Sequence, residues 1–343
     1  MKKYLFMAVA ALATLTACQP GDEPQTIVQT REICFAPGAT QTRATATAVG
    51  NTKALQDNGF AVFGFQGEAQ IFNNTKVVYN STAITSLGLK KGTHYEADLW
   101  APEEAANVKY WAEATYTFSG VYPATNNGYN MDATGTQTIT NFVNDGTVDL
   151  LVSNVETVNN TANTKTPVAL QFEHMLSRVK FTFRNGFSGN EVIEIKNVVI
   201  YAVGKTASAT IAEGATEPLP TWTITDKADI SFGTMDSQTG EKRFDKAGKD
   251  TTCYKYIIPG EAQYTMGFTL VVYSEGVQVA TKTYSAATNN AITVKPDAAF
   301  ASGKGYNFTA TISPDEAGDI FPIQFSVDVT DWPTDEDYEL DLN

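Results

Sequence analysis

Apolar and polar residues alternate with a period of two through much of the chain beyond residue 60, in short runs punctuated by Gly, Asn, Pro and Asp. The clearest run is Arg178 to Arg184, where Val179, Phe181 and Phe183 fall on one face and Arg178, Lys180, Thr182 and Arg184 on the other. The same spacing recurs at Tyr264, Met266, Phe268, Leu270 and Val272, at Tyr306, Phe308, Ala310 and Ile312, and at Ile323, Phe325, Val327 and Val329. One face of such a strand packs on a core and the other meets water, as in antiparallel sheets. Further strands are expected at Phe60 to Phe65, Lys76 to Tyr79, Thr115 to Phe118, Val148 to Val152, Val192 to Tyr201, Tyr254 to Ile258 and Val277 to Tyr284. Helix is confined to short pieces such as Thr52 to Asn58. The pattern predicts an all-β chain of sandwich or barrel type.

A length of 343 residues suits two domains, each able to bury its own core. Glu156 to Thr166 is polar and nearly uncharged and stops at Pro167, which makes it the expected linker. The boundary is placed after residue 165, with the second domain running from 166 to 343.

The N-terminus changes the picture. Lys2 and Lys3 precede an apolar run from Tyr4 to Leu15 that ends in Leu15-Thr16-Ala17-Cys18, the layout of an export signal. About a dozen apolar residues are too few to cross a bilayer as a helix, so the segment is expected to be removed. A Cys directly after Leu-Thr-Ala resembles the bacterial lipoprotein box, in which the thiol is diacylated; ordinary cleavage at Ala17 is the alternative. Acyl chains contribute about 0.8 kcal/mol per buried methylene, enough to turn a secreted protein into a membrane-held one. Asp22 and Glu23, just beyond, are similar to the acidic tag of surface-directed lipoproteins. With Cys18 acylated, Cys34 and Cys253 remain, and these fit two buried apolar thiols or one disulfide.

Charge and chemistry narrow the function. With 24 Lys and Arg against 38 Asp and Glu, the net charge is −14, and no basic stripe is present to track a phosphate backbone, so nucleic acid is excluded as a partner. The chain has no Gly-x-Ser-x-Gly elbow, no phosphate-binding Gly-x4-Gly-Lys-Ser/Thr loop and no His-Glu-x-x-His. His94 and His174 have no nucleophile or ligand partner at a recognisable spacing and suit structural roles. The acidic terminal stretch, with Asp335, Asp337 and Asp341, lacks the Gly and closing Glu of a calcium loop and is expected to be solvated. Trp100, Trp111, Trp222 and Trp332 can be read as a sugar-stacking platform or, more in keeping with sandwich domains, as core. No catalytic residue, metal site or cofactor is expected, and the chain does not read as an enzyme.

Taken together, Cys18, the segment Gln41-Thr42-Arg43-Ala44-Thr45, the strand Phe172-Glu-His174-Met-Leu-Ser177-Arg-Val179, Gly305-Tyr306-x-Phe308 and Val327-x-Val329-x-x-Trp332 resemble the fimbrillins, subunits of the type V pili of Gram-negative bacteria. The resemblance covers nearly the whole chain. It implies two transthyretin-like β-sandwich domains in tandem, export as a lipoprotein to the outer membrane and removal of a leading strand by an Arg-specific protease. It further implies assembly with other copies of the chain or related pilus subunits, and a part in adhesion and biofilm.

On this chain the resemblance maps the signal to residues 1–18, the removed propeptide to 19–43 with its strand at Thr26 to Phe35, and the cut to the Arg43–Ala44 bond. The first mature domain then spans 44–165. The segment around Arg43 is small and polar, as a protease requires, whereas Arg31 falls inside the expected strand. The donor strand maps to Ile323, Phe325, Val327 and Val329, which equally fit the last strand of the protein's own second domain. A stalk subunit is the favoured reading. The alternatives are a tip or anchor subunit of the same pilus, or a monomeric surface lipoprotein that binds glycans.

Overall fold

A computed structural model describes residues 32–39, 53–80, 82, 100–160, 167–212, 219–234, 245, 249–252, 254–314, 323 and 325–331. The first elements among the described residues are β1 (Phe35–Ala39), a short helix α1 (Lys53–Asn58), β2 (Phe60–Gln66), β3 (Ala69–Tyr79) and β4 (Trp100–Pro102). It continues with β5 (Ala114–Tyr122), β6 (Tyr129–Met131), β7 (Gln137–Val143), β8 (Leu151–Ser153), β9 (Glu156–Asn160) and β10 (Val168–His174). Next come β11 (Ser177–Asn185), β12 (Val192–Ile211), β13 (Pro220–Gly233), β14 (Lys249–Thr251) and β15 (Lys255–Ile257). The last strands are β16 (Tyr264–Ser274), β17 (Val277–Tyr284), β18 (Ile292–Val294), β19 (Lys304–Ile312) and β20 (Phe325–Asp331). The protein is all-β, and among the described residues no helix is long and apolar enough to cross a membrane.

Among the described residues the strands form three sheets. The first has the order β2-β3-β4-β1-β10-β8-β5-β9, and β2 also pairs with β5, so seven of its eight strands close into a ring with β9 hanging from β5. The second joins β14, β11, β19 and β20, with β15 also on β11, and β11 runs parallel to β19. The third is built on the 20-residue β12, whose first half pairs with β16 and whose second half pairs with β7. β13 lies along β12, and the register slips near Asn197 and Ala202, which adopt left-handed φ angles of 54° and 52°.

Each sheet faces a core. Inside the ring lie Ile33, Phe35, Phe60, Val62, Phe72, Phe118, Leu170 and Phe172. The other side of β2, carrying Ala61, Phe63 and Phe65, packs with Tyr129, Ile139, Phe142 and Ala207 of the third sheet. That double burial explains why β2 is an unbroken apolar run and not an alternating one. A buried polar knot pins the two layers together: Tyr129 donates to Ser119 Oγ at 2.7 Å, and Gln137 Nε2 donates to Ser119 Oγ at 2.7 Å and to the Ser153 carbonyl at 2.8 Å. The third core joins Phe181, Phe183 and Phe308 of the second sheet to Ile195, Ile200, Met266, Phe268 and Leu270 of the third.

Two expectations differ from what is found. The expected linker, Glu156 to Thr166, carries β9 over Glu156–Asn160, which pairs with β5, and the chain then returns to the ring as β10. Secondly, Arg178 and Thr182, expected to face solvent, are buried. Tyr254 covers that face: the Arg178 guanidinium lies 4.3 Å from its ring centre and Lys180 Nζ 4.4 Å from the same ring.

Candidate functional site

The ring is completed by the segment that precedes Arg43 in sequence. Glu32 bridges to Tyr110, the Ile33 amide donates to the Lys109 carbonyl at 2.8 Å, and the Cys34 carbonyl accepts from the Val168 amide at 2.8 Å. β1 then runs parallel to β10, with Phe35 opposite Val168, Ala36 opposite Ala169 and Pro37 opposite Leu170, while on its other side Phe35 faces Trp100 of β4. The strand was expected at Thr26 to Phe35; β1 is Phe35–Ala39 and shares only Phe35 with it, Glu32 makes an isolated bridge, and the part before Glu32 lies outside the described residues. Pro37 lacks an N–H to give to the ladder, yet its fixed φ is compatible with an extended strand.

Phe35 is the hub. Its ring meets Phe72 at 5.7 Å, Phe118 at 5.9 Å and Phe60 at 6.4 Å between centres, all edge to face, a favoured aromatic geometry. Phe60 continues the cage to Phe172 at 5.1 Å and Trp100 at 5.6 Å. Two glycines make room for it. A methyl on Gly64 would come within 2.7 Å of the Phe118 ring, and one on Gly120 within 2.7 Å of Phe172 Cζ. Ile33 and Phe35 are both fully buried, and Cys34 is a buried free thiol whose pKa is pushed up to about 12, by burial first and by the charge of Glu32 second.

The four expected donor residues lie on or just before β20, which pairs antiparallel with β19, Phe325 opposite Ala310, Val327 opposite Phe308 and Val329 opposite Tyr306. Ile323 is buried, Phe325 and Val327 are half-buried against the core shared by the second and third sheets, and Val329 is 45% exposed. The Phe325 ring sits 5.8 Å from Phe181 and 5.6 Å from Phe183. Among the described residues β20 is an edge strand with β19 as its neighbour.

Cys18, Arg43, Ala44, His94, Cys253 and Trp332 lie outside the described residues. His174 ends β10 buried, its Nδ1 2.5 Å from Asp149 Oδ2, which fastens the strand end to the segment before β8. Among the described residues no group of three His, Cys, Asp or Glu is placed to hold a metal. Trp100 and Trp111 are core; Trp222 is half-buried, donates from Nε1 to the Met175 carbonyl at 3.2 Å, and lines a cleft of about 570 Å³ with Phe300, Lys304 and Glu173. The cage residues Phe60, Phe72, Phe118 and Phe172 were not foreseeable as a unit, since each comes from a different strand.

A family model described as fimbrillin-like matches residues 42–332. No curated protein matches. Among solved structures, a fimbrial protein from Bacteroides vulgatus is 13% identical, with 88% of this chain and 99% of that one covered and a TM-score of 0.52, a likeness of fold. The fimbrial anchor protein Mfa2 from Porphyromonas gingivalis is 10% identical over 88% of this chain and 98% of its own, with a TM-score of 0.34.

Proposed function

The chain belongs to the fimbrillin-like family, and from that premise we propose that it is a structural stalk subunit of a pilus, not an enzyme, and that it polymerises by strand exchange. It is exported as a lipoprotein on Cys18, reaches the outer membrane, and is cut between Arg43 and Ala44 by an Arg-specific protease. One observation carries this reading: the only described strand that precedes Arg43 is β1, which closes the ring of the first sheet. Its loss would open the ring between β4 and β10, expose the Phe60, Phe72, Phe118 and Phe172 cage, and leave unpaired backbone groups on both sides. Ile33 and Phe35 alone represent about 3–6 kcal/mol of burial that a processed subunit must recover from elsewhere. A strand from another copy, drawn from Ile323 to Thr330, recovers it by β-augmentation.

The test is processing followed by assembly. Arg-specific digestion yields a product beginning at Ala44, and that product forms denaturant-resistant ladders that vanish when residues 323–343 are deleted. A processed chain that stays a stable monomer overturns the proposal. A glycan-binding lipoprotein is the second reading, favoured by Trp222 in the lining of its cleft; it retains sugar affinity after the same deletion and needs no cut at Arg43.

A further inference from the structure

Resting on the strand-exchange reading above, we infer the register in which the donor enters: Ile323 takes the place of Ile33, Phe325 that of Phe35 and Val327 that of Pro37 in the ring of a second copy of this chain. The two segments read Ile33-Cys-Phe35-Ala-Pro37 and Ile323-Gln-Phe325-Ser-Val327. They share an Ile and a Phe two residues apart, and on each the same parity points at a core. Parity excludes every odd shift, because a slip of one residue would turn the whole apolar set outward.

The cage excludes the even shifts. The space held by Phe35 is bounded by three rings whose centres lie 5.7 to 6.4 Å from its own, and Gly64 and Gly120 are spaces cleared for those rings. A shift of two places Ile323 or Val327 there and leaves the cage underfilled, while the Phe325 ring is driven against the smaller site of Pro37 or Ile33. In the inferred register Ser326 stands where half-buried Ala36 does, opposite the exposed Ala169 of β10. Val327 also brings a backbone N–H that Pro37 lacks. The donor gains neighbours on both sides, β4 and β10, in place of the one it has as an edge strand.

Ser326 and Ala169 are the places to read the register, since both are exposed and neither fills a core. Two processed single-thiol copies in a Cys253→Ser background are mixed and mildly oxidised: an acceptor bearing Ala169→Cys, and a donor bearing Gln324→Cys, Ser326→Cys or Asp328→Cys. The Ser326→Cys donor is expected to cross-link roughly ten-fold more than either other, because a step of two residues moves a thiol about 6.6 Å along the strand, out of disulfide reach. A dominant product from Gln324→Cys or Asp328→Cys overturns the register and leaves strand exchange standing. Ladders without any cross-link overturn this segment as the donor. Neither ladders nor cross-links overturn the proposed function itself.

Discussion

The strand that starts at Phe35 and the strand that starts at Phe325 share their apolar spacing, yet the first has neighbours on both sides inside a closed ring and the second lies at the rim of an open sheet. Phe35 is fully buried among three rings; Phe325 is half-buried against two, and Val329 two turns of the pleat later is 45% exposed. The same side-chain pattern is thus compatible with a locked stave and with a peripheral strand. What separates them is side-chain burial more than backbone pairing: β1 pairs with β10 at five positions and with β4 at Phe35 alone, β20 pairs with β19 at seven, but only Phe35 is enclosed on all sides by rings. In the strand-exchange reading, proteolysis inverts this inequality, since cutting at Arg43 makes the better-held strand the one that is lost.

Breaking the tighter end first gives the largest effect. Phe35→Ala empties the centre of the aromatic cage and is expected to lower the stability of the uncut precursor by about 3–5 kcal/mol. The precursor is made with Cys18→Ser so that it stays soluble, and the loss is read as a shift in urea midpoint. The product starting at Ala44 no longer contains the residue, so its ladders should be indistinguishable from wild type; weakened ladders would mean that β1 stays with the mature chain. Phe325→Ala acts at the looser end. Half-burial limits the cost in its own sheet to about 2 kcal/mol, but the same truncation underfills the neighbour's cage, so ladder persistence should fall far more than monomer stability. Equal losses in both would place Phe325 in its own core alone.

The all-β class and most of the core strands were legible from local spacing. β11, β16 and β19 were readable because large apolar residues alternate with polar ones over seven positions or more. β13 was not readable, since Pro220–Gly233 is exposed at most positions and its strand is fixed by pairing with β12. The second half of β12 escaped for a similar reason: Lys205-Thr-Ala-Ser-Ala has no large apolar residue, and Ala207 and Ala209 are buried because β7 pairs beside them and the outer face of the ring packs against them. The cage around Phe35 was not legible in the sequence. Phe35 meets residues from β2, β3 and β5, and the parallel pairing of β1 with β10 joins segments more than a hundred residues apart, a non-local choice that no local pattern encodes.

The sharpest difference between the two segments is the residue between their Ile and their Phe: Cys34 in one, Gln324 in the other. Burial and the charge of Glu32 raise the Cys34 pKa from the ordinary thiol value of 9.0 to about 12. A thiol that holds its proton more tightly when folded stabilises the fold in full below pH 9 and loses that contribution as pH rises toward 12. At pH 10 the loss is about 1.4 kcal/mol, the smallest effect considered. Other groups titrate in the same range, so the measurement is a difference of differences: the fall in urea midpoint between pH 8 and pH 10 for the precursor, minus the same fall for its Cys34→Ala variant. The excess should be present in the precursor and absent from the product starting at Ala44, which has no thiol at that place. A precursor whose pH dependence matches that of Cys34→Ala would show that the thiol is open to water and that β1 is docked less firmly than its paired backbone and buried rings indicate.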